Sequence, residues 1–548
     1  MNGPRFHQEI AVRRTLLAAL AALAGVALAG VGAAACGGDP KSPETWIKAL
    51  DEPSKRAEAI DQLTRLIPEI KDESARAEME KKAGAAMIKA YETDSAREQL
   101  LKALATWKVE DAAPVFVDAL SSWKEGVTDK NATIAAGAAG ALKIKEAVPG
   151  LIACSKAQSQ ILRMAAVRAL GDVGTPDTVE PLIAAMLWPD AESQDFFVNR
   201  VAAEKLGEIG DPRAAKPLLR ALFMRGRGAD LFPFAAPSLV RLGPKVTNPL
   251  LIEMIEGKNA EVNADAVRLA FNQISMNDKA YKIMGLMFDT DDETRAFLTK
   301  SMESDAEDSH RRMYAAEALG RVGGPGTKEL LLKYLNDAKT EVPTRMIVQK
   351  GLFLLGDPSV VPLLLEQAGP KGITKDAYGN VAHNLRIGAF EAVTLMGGKA
   401  DVVALEKIIA DTKADLAKKP ELEGLPELLT PQMAGSDAVK ECDADAGCYA
   451  GKLKDPDENV VKVAAWHLGV LGAKEKMGDL LEALDVAPGK SRVSVLWAIN
   501  HLRGAGADPD KVWYAIKRDE TEGRKFPSEE VHRDSMITYW NLRRWTAK

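Results

Sequence analysis

The 548-residue sequence predicts an all-α protein, an α/α solenoid (superhelix) of about a dozen helix pairs behind a cleaved N-terminal signal. Three observations predict it. Aromatic residues make up only 5% of the chain while Ala, Leu and Val abound, which suits helices packed through small residues better than a sheet core. A short apolar pattern ending in Leu-Gly recurs along the chain. Gly-Asp-Pro or Gly-Thr-Pro follows several of its copies.

The chain opens on Arg5, Arg13 and Arg14 against one acid, Glu9, and Thr15 to Ala35 carries no charge. A basic start, an apolar stretch and small residues at its end are the pattern of a secretory signal. A membrane-spanning helix is the alternative, since about 20 apolar residues suffice to cross a bilayer. Either exports the remainder. Ala33-Ala34-Ala35 before Cys36 also resembles the lipobox of bacterial lipoproteins, with Ala33 where that family usually has Leu. The resemblance implies a signal peptide over 1–35, a lipid on Cys36 and a tether over 36–44. At about 0.8 kcal/mol per buried CH2, two or more acyl chains anchor stably. The expected location is the cell envelope. In enteric-type bacteria an Asp after the cysteine resembles an inner-membrane retention signal. Gly37 stands there instead, which favours the outer membrane, facing the periplasm.

Net charge is −6, and losing three Arg and one Glu with the signal takes it to −8. A nucleic-acid partner is not expected, because such binders need basic footprints. Cys442 and Cys448 lie close together in ECDADAGCYAGKL. A disulfide, permitted in an exported compartment and worth about 2 kcal/mol on the chain-entropy model, is expected ahead of two free thiols or a metal site. The spacing is not that of zinc sites, and no His lies within a turn or two. Cys154, in an apolar stretch, reads as a buried thiol.

The solenoid is expected over 45–505. MAAVRALGDVGTPDTVEPLIAAML (164–187) and RVAAEKLGEIGDPRAAKPLLRALF (200–223) are copies of one unit. Leu170, Leu206 and Leu242 are spaced by 36 residues, as are Leu319 and Leu355. Weaker copies surround Leu395, Leu468 and Leu502, and SKRAEAIDQLTRL and IAAGAAGALKIKEAVPGLI look degenerate. Apolar residues at i, i+3, i+4 and i+7 mark an amphipathic first helix. The Gly after the key Leu is expected to end that helix in the left-handed conformation. In Gly210-Asp211-Pro212, Gly356-Asp357-Pro358 and Gly174-Thr175-Pro176, the Asp or Thr can cap the next helix, with Pro at its first position. A second apolar helix follows. One such pair cannot bury its own apolar face, so pairs must stack. These A-A-x-x-L-G cores and G-D-P turns resemble the HEAT repeats, particularly the short bacterial form seen in phycobilisome-lyase-like proteins. That architecture implies scaffolds and adaptors, and only occasionally enzymes.

Three stretches break the period: insertions near 368–384 and 414–453, and an aromatic C-terminal cap over 506–548. Insertions in solenoids often touch partners, although solenoids also need surface loops and caps. The cap is read as covering the last exposed helix face. Candidate partner-binding residues are Trp513, Tyr514, Trp540 and Trp545 of the cap, and the basic cluster Arg220, Arg225 and Arg227.

No sequence motif promises catalysis. No His is followed by Glu, so the His-Glu pairs of HEAT-type hydroxylases are absent. The acidic runs at Asp289 and Asp443 lack the Gly at the sixth position of an EF-hand loop and read as solvated loops. His467 and His501 sit just before the key Leu of adjacent copies, an incomplete site at most. No catalytic residue, metal or cofactor is therefore expected. The reading that results is a non-catalytic, membrane-tethered scaffold binding other proteins in the envelope. The alternatives are a lyase-like enzyme or enzyme-assembly factor, and a cell-wall polysaccharide binder.

Overall fold

The structure, a computed structural model, describes residues 39–93, 96–188, 196–225, 230–268, 271–304, 309–337, 339–375, 381–419, 422–487, 491–521 and 529–546. Cys36 and its flanks lie outside these. Among the described residues, thirty α-helices and one hairpin of two-residue strands make the protein all-α. The chain divides into two compact units, Met1–Ala169 and Leu170–Lys548.

The first unit is built from the degenerate copies. SKRAEAIDQLTRL contributes helix Arg56–Leu66, and IAAGAAGALKIKEAVPGLI forms Lys130–Ala141, a turn and Val148–Cys154. Leu63, Met87, Leu100, Leu104, Phe116, Ala135, Ala139 and Leu151 are fully buried. Cys154 is a buried free thiol, and desolvation pushes its pKa up to about 11.

In the second unit nine helices carry the packing: α1 (Phe197–Ile209), α2 (Phe232–Leu242), α3 (Gln273–Leu286), α4 (Ser309–Val322), α5 (Val342–Leu355), α6 (Asn384–Met396), α7 (Glu458–Val470), α8 (Ser491–His501) and α9 (Glu529–Thr546). Each of the first eight is the first helix of a pair. Second helices follow them, such as Ala215–Ala221 after α1, Thr327–Asn336 after α4 and Lys399–Asp415 after α6.

Two sequence expectations need correction. The Gly directly after the key Leu ends the helix at Gly243 and Gly356, but not in the copies at Leu206 and Leu319. Gly207 lies inside α1 and Gly320 inside α4. A Cβ on Gly207 would stand 2.4 Å from the Ser238 hydroxyl of α2, and one on Gly320 would stand 2.3 Å from the Gly351 carbonyl of α5. These glycines let neighbouring first helices touch through their backbones. The left-handed terminators come three residues later, at Gly210 (φ 72°) and Gly323 (φ 64°). The register also shifts. Counting back from Gly356, the terminator of α5, the key position is Leu352, fully buried, rather than the half-buried Leu355. In α2 it is Leu239, fully buried, rather than Leu242. Both lie 33 rather than 36 residues past the previous key Leu, Leu319 and Leu206. The helix turn of three residues between Leu and Gly makes the two registers look alike in sequence. The Asp caps hold: Asp211 accepts from the Arg213 amide and Asp357 from the Ser359 amide, both at 2.9 Å.

A further repeat element is an arginine seven residues before the key position. It donates to the end of the preceding helix: Arg56 to the Leu50 carbonyl, Arg163 to Ala157, Arg312 to Met302, Arg345 to Leu335 and Arg386 to Ala368. A cation at a helix C-terminus satisfies carbonyls left without partners there.

The array in this unit does not end as an open stack. Helices α2 to α6 run side by side, and α7, α8 and α9 return along them. Lys462 of α7 pairs with Glu391 of α6 at 2.6 Å, and His467 donates Nε2–H to the Thr394 carbonyl at 3.2 Å. Phe353 of α5, Trp466 of α7 and Trp497 of α8 stack with ring centroids 4.0 and 3.5 Å apart, and His501 continues the ladder at 4.6 Å. Arg503, just past α8, donates to the Val322 carbonyl at the end of α4. Asn541 of α9 donates to the Leu286 carbonyl at the end of α3, and α9 packs along α2. The eight helices α2 to α9 thus close a circuit.

Candidate interaction surface

Closure of the circuit decides where the candidate residues go. Trp540 is 5% exposed, with the Arg241 guanidinium of α2 5.4 Å from its ring. Trp545 donates Nε1–H to Asp289 at 3.1 Å, and Arg544 pairs with the same carboxylate at 2.6 Å. The C-terminal aromatics therefore cover α2 and α3, over 250 residues upstream, rather than only the last helix face, and Trp540 and Trp545 are spent on that contact. Asp289 is the anchor of α9 rather than part of a solvated acidic loop. Trp513 is half-buried against Tyr539, while Tyr514 is 64% exposed.

The basic cluster is also engaged. Arg220 pairs with Asp265 at 2.5 Å and Glu261 at 3.0 Å, tying the helix after α1 to helix Ala260–Arg268. Arg225 lies 4.2 Å over the Phe271 ring. Arg227 lies outside the described residues. Lys279 of α3 stands 4.0 Å from the Phe232 ring, and desolvation brings its pKa down to about 8.

Cys442 and Cys448 are disulfide-bonded, with Cα atoms 5.4 Å apart. His467 and His501 form no joint site. His467 stacks on Tyr449 at 4.6 Å and His501 on Trp497, and desolvation lowers both to about 4, so both are neutral. Among the described residues there is no group of three or more His, Cys, Asp or Glu placed to hold a metal, and no helix long and apolar enough to cross a membrane.

What the circuit leaves open is a charged depression across α3, α4 and α5. A cavity of about 130 Å³ is lined by Asp278, Tyr281, Lys282, Tyr314, Glu317, Arg321 and Lys350. Lys350 reaches Glu317 at 3.0 Å, and Arg321 reaches it at 3.3 Å. Glu317 is desolvated, yet these two cations hold its carboxyl below its ordinary range. Asp278 is pushed up by desolvation, and Lys282 is pushed down by desolvation and by the charge of Arg533 on α9. Water reaches Asp278, Lys282 and Lys350 while protein surrounds them, the environment of a concave mouth. Its signs are mixed, so it suits a polar segment of a partner better than a polyanion. The sequence carried one signal for it. Glu317 and Lys350 both stand two residues before the buried Leu319 and Leu352, and Lys350 reaches back to the preceding repeat.

A family model for HEAT repeats matches residues 148–224. That span holds the two most regular helix pairs, with their Gly-Thr-Pro and Gly-Asp-Pro turns. Residues 148–224 carry HEAT repeats. No curated protein matches it. Among solved structures, it is 23% identical to the complex of CpcE and CpcF of phycocyanin lyase from Nostoc sp., covering 44% of this chain and 86% of that one, with a TM-score of 0.22. It is 13% identical to importin beta, over 92% of this chain and 76% of that one, with a TM-score of 0.36. It is 16% identical to human deoxyhypusine hydroxylase, over 57% of this chain and 96% of that one, with a TM-score of 0.18. TM-scores this low lend no weight to any functional transfer. The HEAT repeats are established by the family match and by the helix pairs themselves.

Proposed function

We propose that the chain is a non-catalytic HEAT-repeat scaffold, held at a bacterial outer membrane by a lipid on Cys36, that binds another protein in the cell envelope. The observation that carries the binding reading is the mixed-charge mouth of α3 to α5, wet and concave. The sequence before Cys36 supports export. The Cys442–Cys448 bond supports an oxidising compartment, where such bonds persist.

The test is affinity capture from solubilised envelope with the full chain and with Lys350→Glu, together with mass spectrometry of the mature N-terminus. A reproducible protein partner lost with Lys350→Glu, and an acylated Cys36 terminus, are expected. No reproducible partner would overturn the scaffold reading. An unmodified Cys36 would overturn the anchoring.

A further inference from the structure

The first period-breaking insertion places one repeat arginine beside a cavity. In two other copies the guanidinium donates twice to the preceding helix end, whereas Arg345 donates through Nε, to the Leu335 carbonyl. Arg163 Nη1 donates to the Ala157 and Gln158 carbonyls at 2.7 and 2.9 Å, and Arg312 uses Nε and Nη2 on the Met302 and Ser304 carbonyls. After α5, the second helix Val361–Ala368 runs into a turn, Pro370–Gly372, and a small hairpin of β1 (Thr374–Lys375) and β2 (Val381–Ala382). Arg386, at the start of α6, keeps only the Nε bond to the Ala368 carbonyl at 2.9 Å. Its Nη2 has a long 3.4 Å approach to the Thr412 hydroxyl, and its Nη1 makes no hydrogen bond among the described residues. No carboxylate pairs with Arg386 among the described residues, although it is only 4% exposed.

Beside this guanidinium is a cavity of about 320 Å³, lined by Pro370, Ile373, Ile408 and Leu422 as well as Arg386 and Thr412. That volume lies at the lower end of small-molecule sites, and its charged lining is Arg386 with the Lys419–Asp415 pair and Asp411. We propose that this cavity binds a small apolar carboxylate, its two oxygens on the Arg386 guanidinium and its hydrocarbon body against Ile373, Ile408 and Leu422. Burial disfavours the charge of Arg386 and lowers its pKa, a cost that a bound anion would remove. A monoanion fits better than a phosphate. Lys419 also lines the cavity but pairs with Asp415 at 2.7 Å, so Arg386 is the lining cation left for the ligand, and Asp411 and Asp415 repel further negative charge. The carboxylate belongs either to a free acid or to a peptide C-terminus with an apolar last residue. The inference does not rest on the scaffold reading, and either can fail alone.

The test is titration calorimetry of the full chain with two probe pairs: octanoate against octan-1-ol, and acetyl-leucine against its amide. Saturable binding of either acid, about tenfold or more tighter than its neutral partner, is expected from a charge-assisted bond. Binding by octanoate alone assigns the free acid, and by acetyl-leucine alone the chain terminus. Arg386→Gln should abolish the preference for the acid. Because Arg386 also closes a helix end, Ile408→Trp serves as a second variant. It fills the cavity and should weaken the acid by about tenfold or more with the thermal midpoint retained. No saturable binding of either acid up to roughly 10 mM, neutral partners binding as well as the acids, or Ile408→Trp binding like the wild type would overturn the proposal.

Discussion

The second unit holds two kinds of seam between helices, and they are built differently. Along the forward row, α1 to α6, neighbours touch through small residues in register, as at Gly207 on Ser238 and Gly320 on Gly351. Across the return, α7 to α9 meet α2 to α6 through rings and long polar side chains. These are the Phe353, Trp466 and Trp497 ladder, His467 on Thr394, Asn541 on Leu286, and Arg544 on Asp289. The forward seam repeats and tolerates almost no added volume. The return seam occurs once, has no periodic constraint, and uses large side chains to fill a gap that stacking alone would leave.

Trp497→Ala should give the largest effect, roughly 3–5 kcal/mol, since it removes the middle of the ring ladder. Denaturant midpoints measure it, and a loss under about 1 kcal/mol would mean that the return seam is loosely packed. Gly320→Ala should follow at about 1–3 kcal/mol, because its Cβ meets backbone, which cannot rotate away. If Gly320→Ala were neutral, the close approach of α4 to α5 would be wrong.

Acid should weaken the return seam selectively. His467 and His501 have folded pKa values of about 4, against an ordinary value near 6.5. Above pH 6.5 neither state binds the proton. As pH falls toward 4, the unfolded chain takes up protons that the folded one refuses, so stability drops by about 1.4 kcal/mol per pH unit for each histidine. His467→Gln should flatten that slope by about half of the histidine contribution. An unchanged slope would place the sensitivity elsewhere. Tyr514→Ala, at an exposed position belonging to neither seam, should change stability by no more than about 0.5 kcal/mol.

The forward row was legible in sequence because it repeats. Ala-Ala pairs, buried leucines and Gly-Asp-Pro turns recur at nearly constant spacing, and the helices follow. Their register was less legible. Gly207 and Gly210 are both glycines one helical turn apart, and only the backbone reveals that the first serves packing and the second termination. The return could not be read, because its pairs, such as Arg544 with Asp289, are 255 residues apart and occur once. Aromatic enrichment near the C-terminus signalled an interface but not which surface it would cover. The shared register of the mouth residues Glu317 and Lys350 emerges only once the buried Leu319 and Leu352 are placed. The cavity at Arg386 needed the insertion's path, which the sequence leaves open.

The central claim is that α9 closes the circuit onto α3. A double-mutant cycle between Arg544 and Asp289 tests it most directly, with Arg544→Ala, Asp289→Ala and the double variant compared by denaturant unfolding. Direct contact predicts a coupling energy of about 1 kcal/mol or more. Effects additive to within about 0.3 kcal/mol would contradict it, and with it the closed packing of α2 to α9.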